Sequence, residues 1–510
     1  MPLKRLNLSG LAALFLVLSP VAAVATPWIS VGDMRAKHSV QQLADKGCLA
    51  APVTTWPLMW ADISPALDNP DAPEYCRNTM AWRYLTFERN YHRESDARFS
   101  VKAEHASREP LFRDFRNSPR EKGEYGFTLD VQKGRYAVGV SPTYAYHPRD
   151  KDEWRLDNSY LAAKAGNWVL GAGNIDRWWG PAWHSSAILT HNARPTPGVW
   201  VNRASAQPSS WRPASWLGPW HFVAFATELE NNRHIPNTKL FGARFTFKPV
   251  QFMEMGLSRT FQWGGEGRSQ RLSTFGNALI GRDNGQSGPG NDPSNQLAGA
   301  DVRLATPIGE QVVGFYVQMI GEDEAGSMPA KYMHLAGVDM ATAWLDGEQR
   351  FYFEVADNLV GSWFSDKVNN VAYEHHVWRS GYRYKSRNMA STWEGDSRAY
   401  TLGATQFFSN GSELGVTASY LELNYVDADP KYTDEQLGHV PTHIALFPHS
   451  QQTSLFTVSY GFNLWGGKAG RLTLAGHYTD KELRTKRTTN EGIKPWPKFN
   501  GMVTWEYRFD

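Results

Sequence analysis

The sequence predicts an all-β transmembrane barrel of about 18 antiparallel strands, preceded by a small N-terminal helical bundle. Three observations carry that prediction. From about residue 96 onward, apolar and polar residues alternate with period two. The last eleven residues read as a strand with one apolar and one polar face. The first 25 residues read as an export signal.

The N-terminus supplies the export argument. Lys4 and Arg5 precede a short apolar run from Leu11 to Val17, and Ala23-Val24-Ala25 offers small residues for cleavage. The expected mature chain begins near Thr26. An uncleaved anchor helix is the alternative, but the run is short for a span of ~20 residues and Pro20 interrupts it. The expected organisation is a signal peptide at 1–25, a periplasmic helical bundle at 26–95 and an outer-membrane barrel at 96–510. Removing Lys4 and Arg5 takes the formal net charge from +2 to 0, which leaves no basic excess for nucleic acid. The mean hydropathy of -0.49 would suit a soluble protein. It also suits a barrel, whose lumen-facing polar residues dilute the lipid-facing apolar ones.

Residues 31–92 have helical periodicity. Asp33 is placed to cap a helix that runs to Lys46 and stops at Gly47. Trp56, Met59, Trp60, Ile63 and Leu67 follow helical spacing, as do Met80, Tyr84, Phe87 and Tyr91. Cys48 and Cys76 lie in this stretch, and an exported chain meets an oxidising periplasm. A Cys48–Cys76 disulfide is therefore expected, with two buried thiols as the alternative.

The strand pattern follows. Phe99, Val101 and Ala103 alternate with Ser100 and Lys102, and Tyr125, Phe127, Leu129 and Val131 with Gly126, Thr128 and Asp130. Tyr400, Leu402, Ala404 and Phe408 lead to Asn410-Gly411, and Leu414, Val416, Ala418 and Tyr420 return, which is a strong hairpin signal. At the C-terminus Phe499, Gly501, Val503, Trp505, Tyr507 and Phe509 alternate with Asn500, Met502, Thr504, Glu506 and Arg508. The strand resembles the signal that barrels present to the outer-membrane assembly machinery, with Asp510 as an extra final residue. Long loops are expected at 264–296, 358–371, 386–397, 424–452 and 479–498. A soluble sandwich pair or propeller is the competing fold, but no fixed repeat supports a propeller.

The distinctive stretch is Asp176-Arg177-Trp178-Trp179-Gly180-Pro181, followed by Trp183. Its rings could stack on sugars, with Asp176 and Arg177 binding hydroxyls or a carboxylate. Equally, the segment could fill the barrel lumen with an internal Asp176–Arg177 pair, and the chemistry leans slightly that way. Arg268, Arg271, Lys367, Arg379, Arg383, Lys385 and Arg387 could draw in an acidic polymer, or be ordinary solvated charges.

This stretch resembles the capsule assembly Wzi family of outer-membrane proteins. The resemblance extends through Trp183, Asn192-Ala193-Arg194-Pro195, Pro197, Pro219-Trp220-His221-Phe222, Tyr373-Glu374-His375, Gly381-Tyr382-Arg383-Tyr384 and Thr54-Thr55-Trp56-Pro57-Leu58. It implies an 18-stranded barrel with a periplasmic helical bundle. It also implies a lectin-like role in which capsular polysaccharide or exopolysaccharide is held at the cell surface through the extracellular loops. Asp176, Arg177, Trp178, Trp179, Trp183, Arg194, Arg383 and Tyr384 are the residues to examine as polysaccharide-binding or lumen-stabilising. Outer-membrane lipid is a further expected partner, and the polysaccharide export apparatus a candidate one.

No G-x-S-x-G, H-E-x-x-H or P-loop string is present, so neither catalysis nor a cofactor is expected. His375 and His376 are adjacent, and on a strand they would face opposite sides, away from a shared metal. Asp427, Asp429, Asp434 and Glu435 lack the spacing of a calcium loop. A porin or saccharide channel with an open lumen is the main competing function, and a barrel-embedded hydrolase the second.

Overall fold

Alternating residues fold into alternating faces, and here the strands close on themselves. The computed structural model of the chain describes residues 26–280, 294–325, 328–361, 368–427, 436, 444–489 and 491–509. The export signal, Lys367, Asp429, Asp434, Glu435 and Asp510 lie outside the described residues. Twenty hydrogen-bonded segments make the wall. Tyr136–Val140 and Thr143–Tyr146 both pair with Gly123–Lys133, forming one strand broken at Ser141-Pro142. Trp154–Arg155 and Tyr160–Ala165 pair with those two halves and form a second broken strand. The wall is therefore a closed 18-stranded antiparallel barrel. Phe499–Phe509 closes it against Ala97–Ala106, with Phe509 opposite Phe99 and Met502 opposite Ala106.

The period-two pattern assigns the faces. On Arg398–Phe408, Ala399, Thr401, Thr405 and Phe407 are buried inward, while Leu402 is 60% exposed on the outside. On the closing strand Phe499, Val503 and Phe509 are exposed, and Asn500 and Met502 are buried. This is the face rule of a barrel in lipid with a filled interior. The outer column includes Phe127, Leu129, Phe315, Phe353, Val416, Phe456 and Leu474. No helix among the described residues is long and apolar enough to cross a membrane.

The two ends of the barrel differ. Short turns lie at one end, among them Gly134 at φ +60° and Gly411 at φ +86°, where a left-handed backbone favours glycine. Exposed Trp211, Trp216, Phe252, Trp344 and Trp465 border that end, as an interfacial aromatic belt does. The other end carries the long connections. Expected loops at 264–296, 424–452 and 479–498 lie there. The expected loops at 358–371 and 386–397 belong to the single stretch between wall strands Gly347–Gly361 and Arg398–Phe408, described from residue 368 on, and 107–122 is a further long connection that the sequence did not mark.

Four helices precede the first wall strand: α1 (Met34–Asp45), α2 (Trp60–Leu67), α3 (Glu74–Arg77) and α4 (Met80–Arg93). Asp33 caps α1 by accepting from the Ala36 N–H at 2.8 Å, and the chain turns away at Gly47 with φ +82°. Two local expectations fail. Trp56 is not helical. The following proline disfavours helix there, and Thr55–Trp56 instead forms a two-residue ladder with Trp178–Trp179. On α4 the buried face is Trp82, Leu85, Glu88 and Arg89, not the face through Phe87, which is 64% exposed. Cys48 and Cys76 form a disulfide with Cα atoms 5.9 Å apart.

The helices and the barrel share one core. Eleven of the twelve α1 residues are buried, so no side faces open water. Leu43 and Leu85 pack in one cluster with Phe115, Trp178, Trp183, Tyr352 and Phe407 from loops and wall. The helix meets the wall through charge as well: Asp45 accepts from Arg303 at 2.7 Å, and the Met80 N–H donates to Glu348 at 2.8 Å.

Candidate functional site

The lumen is packed with helix α1 and with largely irregular backbone from residues 26–33, 46–59, 107–122, 174–197 and 371–397. Irregular backbone inside a membrane barrel is tolerated only where its N–H and C=O groups find partners. Wall side chains supply them. Glu254 accepts from the Val53 and Thr54 N–H groups at 3.0 and 2.8 Å. Glu354 accepts from Trp183 and His184 at 2.5 and 3.1 Å and from the Tyr316 hydroxyl at 2.8 Å. Gln318 accepts from Ala187 at 2.8 Å, and Glu322 from Tyr373 at 2.6 Å. Inward acids and amides on three alternate wall strands thus fasten the filling to the wall.

The DRWWGP segment sits at the middle of this filling. Trp178, Trp179 and Trp183 are at most 1% exposed. Trp183 donates through Nε1 to Asp339 at 2.6 Å, and Asp339 in turn receives Arg303 and Arg350. Trp178 packs edge-on against Phe115 with centroids 5.2 Å apart, and Trp179 lies 5.5 Å from Phe225. Lys37 of α1 points its ammonium at the rings of Phe115, Trp178 and Trp183, 4.0, 4.5 and 5.1 Å from their centroids, and donates to the Ala182 carbonyl at 2.7 Å. Burial lowers the Lys37 ammonium to about 7, against the pull of Glu354. Gly180 has φ +131°, and a Cβ there would stand 2.6 Å from Gln318 Nε2, so only glycine fits.

The predicted Asp176–Arg177 pair does not form. Neighbours on an extended segment point apart. Asp176 accepts instead from Arg120 at 2.6 Å and from Asn158 at 2.9 Å. Arg177 lies over Phe225 and Trp200 and donates to the Ile175 carbonyl at 3.1 Å.

Above the filling, the long-loop mouth is laced with ion pairs. Arg194 contacts Asp150, Asp152 and Asp157 at 2.5, 3.2 and 2.8 Å. Arg155 contacts Glu121, Glu124 and Asp150. Lys385 pairs with Asp152. Arg383 is fully buried between Glu374 and Glu394 at 2.7 and 2.8 Å, and Tyr384 is buried in a two-residue ladder with Arg387. Of the seven basic residues expected to face a polymer, Arg383 and Arg387 are therefore internal and Lys385 is paired, while Arg271 is exposed, Arg268 is half-buried over the Trp378 ring and Arg379 is half-buried and donates to the Gln436 carbonyl. His375 and His376 are on an irregular segment, not a strand, and their rings stack 4.6 Å apart. Among the described residues no group of three or more His, Cys, Asp or Glu side chains is placed to hold a metal ion.

Sequence reasoning missed Lys37, Arg120, Glu254, Gln318, Asp339 and Glu354. Inward charges on the wall strands gave no local signal of their partners. The run Arg113, Arg116, Arg120 within one short segment was the available hint of a loop made to meet buried carboxylates.

Comparison with known proteins agrees with this architecture. The profile of the capsule assembly protein Wzi family matches residues 93–505. An uncharacterised 55.8 kDa protein of the cps region of Klebsiella pneumoniae is 31% identical over 332 residues, a match spanning 64% of this chain and 64% of that protein. The solved structure of Wzi from Escherichia coli, described as an outer-membrane, carbohydrate-binding β-barrel involved in group 1 capsule assembly, superimposes with a TM-score of 0.77 at 22% identity. It covers 95% of this chain and all of that one. With a family match over most of its length and the same barrel fold, this chain belongs to the capsule assembly protein Wzi family.

Proposed function

We propose that this protein is a plugged outer-membrane barrel that holds exported capsular polysaccharide or exopolysaccharide at the cell surface, without covalent chemistry and without a cofactor. The observation that carries this reading is the filled lumen. Its aromatic string has no ring face open to a ligand, so a polymer meets only the long-loop surface. In this reading residues 1–25 are a cleaved signal, the short-turn end with its helices faces the periplasm, and the closing strand is the handle for the assembly machinery. Asp176, Arg177, Trp178, Trp179, Trp183, Arg194, Arg383 and Tyr384 act by fixing the plug and its mouth. Surface cations such as Arg268, Arg271 and Arg379 face the polymer.

Retention of a polymer needs no deep pocket. Many weak contacts along a repeating ligand add by multivalency. The test is binding of purified protein to purified acidic polysaccharide across a salt series. Weak, avid and salt-sensitive binding, with polymer length unchanged after incubation, is the expected result. Depolymerisation would favour the hydrolase reading, and steady ion conductance in a planar bilayer would favour a channel.

A further inference from the structure

We propose that the outer ends of four neighbouring strands form a seat for the phosphate groups of an outer-leaflet glycolipid. The four strands are Phe499–Phe509, Ala97–Ala106, Gly123–Lys133 and Thr143–Tyr146, consecutive around the wall. Each is bordered at its long-loop end by a basic residue. Lys498 precedes the first, Arg108 follows the second, Lys122 precedes the third and His147 follows the fourth. The backbone ties these ends side by side: the Arg108 N–H donates to Asn500 at 2.9 Å, and the Ala106 N–H to the Lys122 carbonyl at 2.8 Å. Gly123 stands opposite both His105 and Tyr146. At an interstrand spacing of ~4.8 Å the four basic residues span roughly 14 Å of rim.

Beneath them the outer face changes character in one step. Phe99, Val101 and Ala103 form an apolar column that ends in His105, and Leu129 and Phe127 form one that ends in Tyr125. His105 Nδ1 and the Tyr125 hydroxyl are 3.0 Å apart, and the Lys122 ammonium stands 5.9 Å from the Tyr146 ring. Tyr144 packs on the exposed Trp154 with centroids 5.3 Å apart. A Cβ on residue 123 would meet the Tyr125 hydroxyl at 3.0 Å, so glycine leaves the space where these rings converge. Amphipathic rings over an apolar column mark the level where acyl chains give way to headgroups.

Lys498, Arg108, Lys122 and His147 make no ion pair among the described residues, although acids flank them in sequence. Those acids are engaged elsewhere: Glu104 with Lys102, Glu109 with Arg149 and Glu124 with Arg155. The three cations Lys498, Arg108 and Lys122, with His147 beside them, stand above an aromatic shelf and complement phosphate on a lipid whose chains lie along the columns below.

The test uses the mature chain in non-ionic detergent, with bound lipid counted by native mass spectrometry. The probes are bis-phosphorylated lipid A, its dephosphorylated form, phosphatidylcholine and inorganic phosphate. The expected result is one bis-phosphorylated molecule held at least tenfold more tightly than the dephosphorylated form. Binding should fall at least tenfold in a variant carrying K498A, R108A, K122A and H147A, whose unfolding temperature stays that of the parent. A milder K122Q, R108Q pair should lose part of the binding if the fourfold variant does not fold. Equal binding of the dephosphorylated lipid, undiminished binding by the variants, or saturation by inorganic phosphate alone would overturn the assignment.

Discussion

Replacing Trp183 with alanine is the sharpest perturbation of the plug. The side chain is fully buried, and its indole N–H donates to Asp339, itself buried between Arg303 and Arg350. Truncating a buried tryptophan to alanine costs ~3–5 kcal/mol through lost contacts and the cavity left behind. Losing a hydrogen bond to a charged acceptor adds ~1.5–3 kcal/mol. Part of that overlaps, so a net cost of about 5 kcal/mol is expected. The wall hydrogen bonds do not pass through Trp183, so the cost falls on seating of the filling rather than on the cylinder. About 5 kcal/mol multiplies the unseated population by roughly three to four powers of ten. Planar-bilayer recording reads this directly: the parent is silent and Trp183→Ala shows intermittent ion conductance. Trp154→Ala, which removes a ring that is 74% exposed, is the control and stays silent. A silent Trp183→Ala with the parent's unfolding temperature would refute the reasoning that this ring holds the plug.

Three further outcomes follow from the same contacts. Arg194→Ala leaves Asp157 without its cation, while Asp150 keeps Arg155 and Asp152 keeps Lys385, and is expected to cost ~3 kcal/mol locally, seen as faster amide exchange over residues 147–157. Reducing Cys48–Cys76, which closes a 28-residue separation, removes ~3 kcal/mol and should make residues 46–80 sensitive to protease while the barrel stays intact. Acid should loosen the plug. Burial lowers the His38 and His184 imidazoles to about 4 and His191 to about 3, against ~6.5 in an unfolded chain. The folded plug then holds fewer protons than the unfolded chain below pH ~6.5, so stability is fully present above that pH and falls as pH drops toward 4. Each histidine contributes up to about 2 kcal/mol at pH 5. Thermal unfolding between pH 7 and pH 5 measures this, and His184→Asn should flatten the slope.

What could be read from the chain were features with a local period or a local cap. The strand alternation, the Asn410-Gly411 hairpin, the Asp33 cap and the two faces of 499–509 all depend on neighbours within a few residues. The broken strand at Ser141-Pro142 escaped because each half alternates well on its own. The buried face of α4 was misjudged because Phe87 and Tyr91 look apolar at helical spacing, while the surface that covers the helix, including Glu348 of the wall, is hundreds of residues away. The same distance hid the partners of the DRWWGP segment. Asp176 finds Arg120 rather than its neighbour Arg177, and Trp183 finds Asp339 and Glu354 across the lumen. The string announced itself as unusual, but whether its rings faced sugar or protein was a three-dimensional matter.

The account stands on an outward face that keeps polymer on the cell while the interior stays sealed. The most direct measurement is the partition of polysaccharide between cells and medium in a strain lacking this protein. The account predicts normal total polymer, most of it shed into the medium, and recovery of cell-bound polymer when the intact chain is restored. Unchanged cell-bound polymer in the deletion strain would contradict it.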